Sequence, residues 1–464
     1  MKKSFDVLIL FILVIARVRI DTLADAVLPQ RHEDVRRLVG GWWPAWSLER
    51  LAHPETDPAS MVLIVTAFGL LAVYLMLDIF GSERQAKMTF RLKLALIYSL
   101  IGLLVLGKTA LLIGLRHISG PASYTHDGGV IQTEVAITYF LKGLNPYVED
   151  YVNTPMAEWG FNEYRTALYH YPYLPWTFVF STPFFLLSQT LLGWFDERFV
   201  YLLLFALTLM LAQSLARGGQ TKLMAVALVG LNPILAVNVI FGENDIFVLF
   251  WIVLGLWLLQ PAPTRPGVGR SLLGSAAVGL ACASKPTAWF LVPFWLLYLL
   301  RDGWGKADMT WPGYLITLAR RAWTLPLLFF AVTLPWFLWH PTAMYDDVWR
   351  WAAGEGPGSY QIWGWGASNL VLGLGWVEDR FDYWPFIIPE LLVAAPLLWF
   401  LWRRQARHNS PGRMLYGYVV LLLAFFYVSR FLNENYLGYL AACLTLALTI
   451  DERSGMDEPV ACHQ

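Results

Sequence analysis

The sequence predicts an all-α protein: a polytopic membrane helix bundle of about 12 spans, with large outer-face loops carrying short helices. Three observations predict it. Hydrophobic residues make up 57% of the chain and charged residues 15%, against roughly 25% charged in a soluble domain. The 23 Trp exceed what a soluble core needs, and such rings collect at membrane–water boundaries because one edge is apolar and the other wet. Apolar runs of helical length recur from Phe5 to Ile450, separated by short polar or basic connections. A net charge of zero argues against a nucleic-acid partner. Cys282, Cys443 and Cys462 lack the close spacing of a metal knuckle or redox pair, so disulfides are expected to play no part.

Met1-Lys2-Lys3, the apolar stretch from Phe5 to Ile20 and Ala24-Asp25-Ala26 fit a cleavable signal and a retained anchor equally. Either way, Asp21 to Ser60 lies outside. Met61 to Ile79 is long enough to cross about 30 Å of hydrocarbon. The next connection carries Arg84, Lys87, Arg91 and Lys93 against Glu83, a basic excess that marks it as cytoplasmic. Leu94 to Leu115 then crosses outward, which makes 116–173 an outer loop. Residues 1–93 thus form an anchor or signal plus one extra span, and 94–464 the main transmembrane module.

Seven apolar runs follow: Pro175 to Leu192, Phe199 to Leu215, Leu223 to Phe241, Ile246 to Leu259, Leu272 to Ala283, Thr287 to Leu300 and Leu325 to Trp339. Residues 340–385, acidic and rich in Trp and Gly, read as a second outer loop. Phe386 to Trp402 returns to the basic patch Arg403, Arg404, Arg407 and Arg413, the clearest cytoplasmic signal in the chain. Met414 to Phe431 goes out and Tyr436 to Ile450 comes back. Counting forward from Asp127 and backward from the Arg403 patch disagrees by one crossing. Two arrangements remove the conflict: Pro175 to Leu192, with Pro183 inside it, is re-entrant or interfacial, or Leu272 to Leu300 is one broken span. No internal repeat is visible, which weakens a transporter built on inverted repeats.

On this topology four polar clusters share the outer face: Asp127 with Glu134, Glu243-Asn244-Asp245, Lys285, and Arg430 with Asn433, Glu434, Asn435 and Tyr436. Asp127 lies between His126 and Gly128-Gly129, where glycines allow close backbone approach to a substrate. Such a carboxylate suits a general base that takes a proton from a hydroxyl. It equally suits an N-cap for a helix starting near Val130. Glu134, further along that helix, reads as a surface or supporting residue, with direct substrate contact the alternative.

Lys285 interrupts an apolar interval at a cost on the order of 3 kcal/mol on insertion scales, and such lysines are usually paired and functional. An anion such as a lipid phosphate is its natural partner; snorkelling to headgroups is the alternative. The guanidinium of Arg430 matches phosphate oxygens or serves as an interfacial anchor. Asn433, Asn435 and Tyr436 suit sugar hydroxyls or a simple turn. Asp245 is favoured at a helix start by the helix dipole whatever its function. Lys108, inside a span, pairs with Asp245 or with a headgroup. His126 and His170 read as hydrogen-bonded loop residues near the substrate path. Zinc, nucleotide-loop and hydrolase-elbow motifs are absent from the sequence.

The order Asp127-Gly128-Gly129, Gly143-Leu144-Asn145-Pro146-Tyr147 and Tyr171-Pro172-Tyr173-Leu174-Pro175 resembles the first outer loop of polytopic GT-C glycosyltransferases. It is closest to the polyprenyl-phosphate-mannose-dependent mannosyltransferases of glycosyltransferase family 87. Leu231-Asn232-Pro233, Gly242-Glu243-Asn244-Asp245, Ala283-Ser284-Lys285-Pro286 and Arg430 through Tyr436 resemble later blocks. The resemblance implies a GT-C-like catalytic module over 94–464 and transfer of one sugar, mannose-like, from a polyprenyl-phosphate-sugar donor. The acceptor would be a hydroxyl of a glycolipid, glycan or protein on the outer face of the cytoplasmic membrane. No cofactor and normally no metal are implied. Carried over by position, Asp127 is the base, while Lys285 and Arg430 meet the donor phosphate; His126, Glu134, Glu243, Asp245, His170, Asn435 and Tyr436 are expected around the substrates. Tyr173 stands where the family usually has a second Pro, and the spans before Leu94 are not part of its common core.

The residues agree with that chemistry. A lipid phosphate leaves readily, so the enzyme needs a base on the acceptor, a cation on the phosphate and a site closed to water, and a single base facing the leaving group implies inversion. A small-solute transporter, a lipid-linked glycan ligase or polymerase, and a structural scaffold are the competing classes.

Overall fold

The computed structural model describes residues 5–26, 30–51, 53–80, 86–161, 165–260, 267–301, 304 and 310–450. Met1 to Lys3, Glu83, Arg84 and Cys462 lie outside them. Among the described residues the protein is almost wholly helical. Strand structure is limited to a parallel pair, Trp363–Gly364 beside Phe431–Leu432, and a bridge between His53 and Thr56. Cys282 and Cys443 are buried free thiols.

Pro58–Phe80, Ala86–Ser119, Arg198–Leu215 and Pro411–Val428 are long and apolar enough to cross a membrane. Two further pairs qualify together but bend: Gly219–Gly230 with Pro233–Phe241 by 49°, and Trp311–Ala322 with Thr324–Trp339 by 57°. Trp176–Leu192, Asp245–Leu259, Val268–Cys282 and Pro286–Leu299 are apolar but shorter. Length and composition thus support an integral membrane bundle with four to six spans among the described residues.

Hydrogen bonds sort the helix ends into two layers. At one end, His126 N donates to Phe241 O (2.9 Å), Leu174 N to Ser284 O (3.0 Å), and the Arg198 guanidinium to Tyr124 O (2.8 Å). At the far end, Thr324 donates to Leu272 O (2.6 Å), Arg321 to Leu299 O (2.7 Å) and Asn409 to Leu297 O (2.6 Å). The Arg403 to Arg413 patch belongs to this far end, opposite Asp127.

Local sequence explains how chain reaches the first layer. Gly230 ends one helix, and Asn232 starts the next by accepting from Ile234 N (3.1 Å) and Leu235 N (3.0 Å), with Pro233 at the first helical position. That cap makes the bend and carries the chain to Gly242. Asp245–Leu259 and Val268–Cys282 then pack through glycines: a Cβ on Gly255 would lie 3.0 Å from Gly274 O, and one on Gly274 would lie 3.0 Å from Gly255 O. In lipid, where apolar burial drives little association, such small-residue contacts hold helices together. The approach aligns the start of one helix with the end of the other, and so brings Asp245 to Lys285.

The Trp176–Leu192 helix has both ends in the first layer. Trp176 N donates to Ala283 O (3.0 Å). Gly193, left-handed at φ 77°, reverses the chain, and Ser188 reaches Trp194 O (2.7 Å) while Ser181 reaches Glu197 Oε1 (2.5 Å). Leu186, Leu187, Leu191 and Leu192 are exposed on it. Both of its ends therefore share the first layer. Ser284-Lys285-Pro286 is a turn between two helices that run to the far end.

Lys108 pairs with neither Asp245 nor a headgroup. Its ammonium meets Asp25 (3.1 Å) and Ser60 (2.6 Å), next to Arg31, which bridges Asp25 and Asp57 (2.9 Å to the latter). These groups come from the N-terminal helices, which close around Lys108 before any residue of the Asp245 helix reaches it.

Candidate active site

Asp127 opens a widened helical turn, Asp127–Gln132, that runs into Thr133–Leu141. Its cap is His126, whose Nδ1 accepts from Gly129 N (3.3 Å), so Asp127 is not the N-cap. The Asp127 carboxylate accepts from Gly128 N (2.6 Å), lies 3.0 Å from His126 Nδ1, and keeps 22% of its side chain exposed. The neighbouring glycines serve protein contacts. A Cβ on Gly129 would run into Gly242 O, and one on Gly128 would sit 2.6 Å from the Tyr173 hydroxyl. They fasten the Asp127 turn to the Gly242 loop and to Tyr173, where the sequence suggested close approach to a substrate.

The Gly242 loop presents Glu243 3.9 Å from His126 Nε2. Burial pushes the Glu243 carboxyl up to about 7; Asp245 and Asp127 add to this, and His126 and Lys285 oppose it. Asp245 begins its helix, accepts from Lys285 Nζ (2.7 Å) on one oxygen and from Asn435 Nδ2 (2.6 Å) on the other. Lys285 also donates to Asn244 Oδ1 (3.3 Å), and its ammonium lies 5.1 Å from the Tyr436 ring and 5.9 Å from the Tyr173 ring. An ammonium has three donors, so one remains beyond Asp245 and Asn244. Tyr436 stacks on Phe426 at 4.1 Å, and Asn433 donates to the Tyr360 hydroxyl (3.0 Å).

The structure thus brings together Asp127, His126, Glu243, Asp245, Lys285, Asn435 and Tyr436. It does not bring in Glu134, His170 or Arg430. Glu134 forms a two-bond ion pair with Arg116 (2.9 and 2.8 Å) and accepts from Glu197 N (3.0 Å), which makes it a strut beneath the Asp127 turn. His170 joins the two loops: its Nδ1 is 2.8 Å from Asp347 Oδ1 and its Nε2 3.0 Å from Pro357 O. Asp347 also accepts from Tyr171 N (2.9 Å). Burial pushes Asp347 up to about 6, and the Asp347 contact holds His170 above its ordinary value against the opposing effect of its own burial.

Arg430 is 1% exposed, and its guanidinium donates to Tyr360 O (2.7 Å), Asp382 O (2.9 Å) and Arg380 O (3.1 Å). Where the sequence expected a donor phosphate, the structure shows these second-loop carbonyls around it. A guanidinium suits any array of oxygens, and here the second loop supplies carbonyls.

Tyr173 and Tyr360 are the site residues that sequence reasoning passed over. Tyr173 had a signal, since it replaces a proline in an otherwise familiar block. Tyr360 sits in an irregular loop and had none.

A tyrosine-walled cluster of carboxylates and one lysine, at the end of an apolar helical bundle, defines an integral membrane protein with polar chemistry at one layer. Residues 138–301, just over a third of the chain, match the family profile of the alpha-(1->6)-mannopyranosyltransferase N-terminal domain. The matched stretch holds Tyr173, Glu243, Asp245 and Lys285 and begins beyond Asp127. It supports a mannose-transferring glycosyltransferase. No curated protein and no solved structure matches the chain.

Proposed function

We propose that this protein transfers a single mannose from a polyprenyl-phosphate-mannose donor to a hydroxyl of a glycolipid, glycan or protein acceptor, by inverting displacement at the outer face of the cytoplasmic membrane. One observation carries the reading: Asp127 and Lys285 flank a single tyrosine. The Tyr173 hydroxyl lies against the Asp127-Gly128 turn, and the Tyr173 ring lies 5.9 Å from the Lys285 ammonium. A base and a cation separated by about one ring suit a sugar whose leaving phosphate meets Lys285 while the acceptor hydroxyl meets Asp127.

The chemistry follows from these groups. Asp127 accepts the acceptor's proton as its oxygen attacks the anomeric carbon. The third N–H of Lys285 donates to the phosphate and stabilises charge as that bond breaks. Asp245 and Asn244 hold the ammonium in place. Glu243, half protonated near neutral pH, and Asn435 and Tyr436 border the space for sugar hydroxyls. Arg430 and His170 position the second loop as a cover that limits hydrolysis of the donor.

The same reading takes the bundle as GT-C-like and related to glycosyltransferase family 87. It keeps about 12 spans, with Trp176–Leu192 interfacial; four to six of them are long and apolar enough by themselves among the described residues. The basic far end supports an outward-facing site.

The test is transfer of labelled mannose by the purified protein in lipid. Product from polyprenyl-phosphate-mannose, with none from a nucleotide-mannose, is expected; transfer only from the nucleotide sugar would overturn the donor assignment.

A further inference from the structure

At the far end, away from the carboxylate cluster, the Ile387–Arg407, Pro411–Val428 and Glu434–Ile450 helices enclose a groove of about 220 Å³. It is lined by Arg404, Arg413 and Tyr416 above an apolar wall of Leu401 and Leu448, and the described residues lining it include no carboxylate. The volume falls below the ~300–1,000 Å³ that encloses a whole drug-sized ligand. It suits a headgroup whose chains remain outside, along exposed Leu448.

The two arginines stand on a fixed turn. Gln405 donates to Phe294 O (3.0 Å) and Asn409 Oδ1 (2.9 Å), and Ser410 caps the next helix by accepting from Arg413 N (3.2 Å). Buried Gln405 also lines the groove, and its Oε1 has no hydrogen-bond partner among the described residues. We infer that this groove is a binding site for an anionic phospholipid of the leaflet at that end, with the phosphodiester between Arg404 and Arg413. Guanidinium forks match phosphate oxygens, and basic pockets between helices at this depth select anionic headgroups. Phosphatidylglycerol, an anionic phosphodiester whose headgroup carries no cation to compete with the arginines, is the probe.

Native mass spectrometry of the full-length protein would compare retention of phosphatidylglycerol and phosphatidylcholine. Phosphatidylglycerol is expected to be preferred. Arg404→Gln or Arg413→Gln should weaken it about fivefold each, and the pair roughly 30-fold, with phosphatidylcholine unchanged. Both arginines are exposed, so these substitutions spare the fold. Equal retention of the two lipids would overturn the inference. So would a double variant with unaltered preference, or displacement of the lipid by millimolar glycerol 3-phosphate, which would mark a site for soluble phosphate esters.

Discussion

Replacing Asp127 by Asn tests the base with little structural disturbance. The carboxylate accepts from Gly128 N at 2.6 Å, and an amide oxygen accepts the same bond. The cap of the turn belongs to His126 and is untouched. With 22% of the side chain exposed, the loss of charge leaves no buried partner unpaired. Proton abstraction by a positioned base contributes about 10²–10⁴ in rate, equivalent to about 2.7–5.5 kcal/mol of barrier. Single-turnover transfer of labelled mannose should therefore slow by that factor, while donor affinity, measured by displacement of an unreactive phosphonate analogue, stays constant. A variant with normal donor binding and less than a tenfold loss of rate would refute Asp127 as the base.

Lys285→Ala strands Asp245, whose side chain is 2% exposed, and should cost about 3–5 kcal/mol in thermal unfolding. Adding Asp245→Asn should restore stability but not donor affinity; recovery of both would remove the phosphate role. Glu243, pushed up to about 7, becomes charged as pH rises through that value and repels the donor phosphate, so the donor KM should climb roughly tenfold above neutrality. Glu243→Gln should flatten that profile, and an unchanged climb would acquit this carboxyl. Gly129→Ala drives a methyl into Gly242 O and should cost about 1–3 kcal/mol with loss of activity, whereas unaltered melting would show that the two loops are not in contact. His170 holds its proton above its ordinary value. With Asp347 pushed up to about 6, the charged tie weakens as pH falls through that value, and it is lost as pH rises from neutrality through the raised His170 value. Hydrogen exchange near Tyr171 should accelerate over that range, and pH-independent exchange would refute the coupling.

The helical bundle was legible because apolar runs must be helices when no water can satisfy their backbones. Asp127, Glu243, Asp245 and Lys285 were legible for the same reason, since charge beside apolar runs demands a partner. The identity of each partner was not. The carbonyls around Arg430 could not be foreseen because the irregular second loop left no trace of where its backbone oxygens would turn. Lys108 misled in the same way: Asp25 and Asp57 are far from it in sequence, and only the folded N-terminal helices bring them near. The cap on the Asp127 turn also went to His126, a choice between adjacent residues that depends on backbone angles.

The pairing of Lys285 with Asp245 bears on how the chain enters the membrane. The two residues bound one helical hairpin, Asp245–Leu259 and Val268–Cys282, so cation and anion arrive together and neutralise each other as that hairpin inserts. Asn435 comes only with the last helix. A nascent chain therefore carries this pair already balanced, and the polar cluster gains its Asn435 contact only when the Glu434–Ile450 helix joins the bundle.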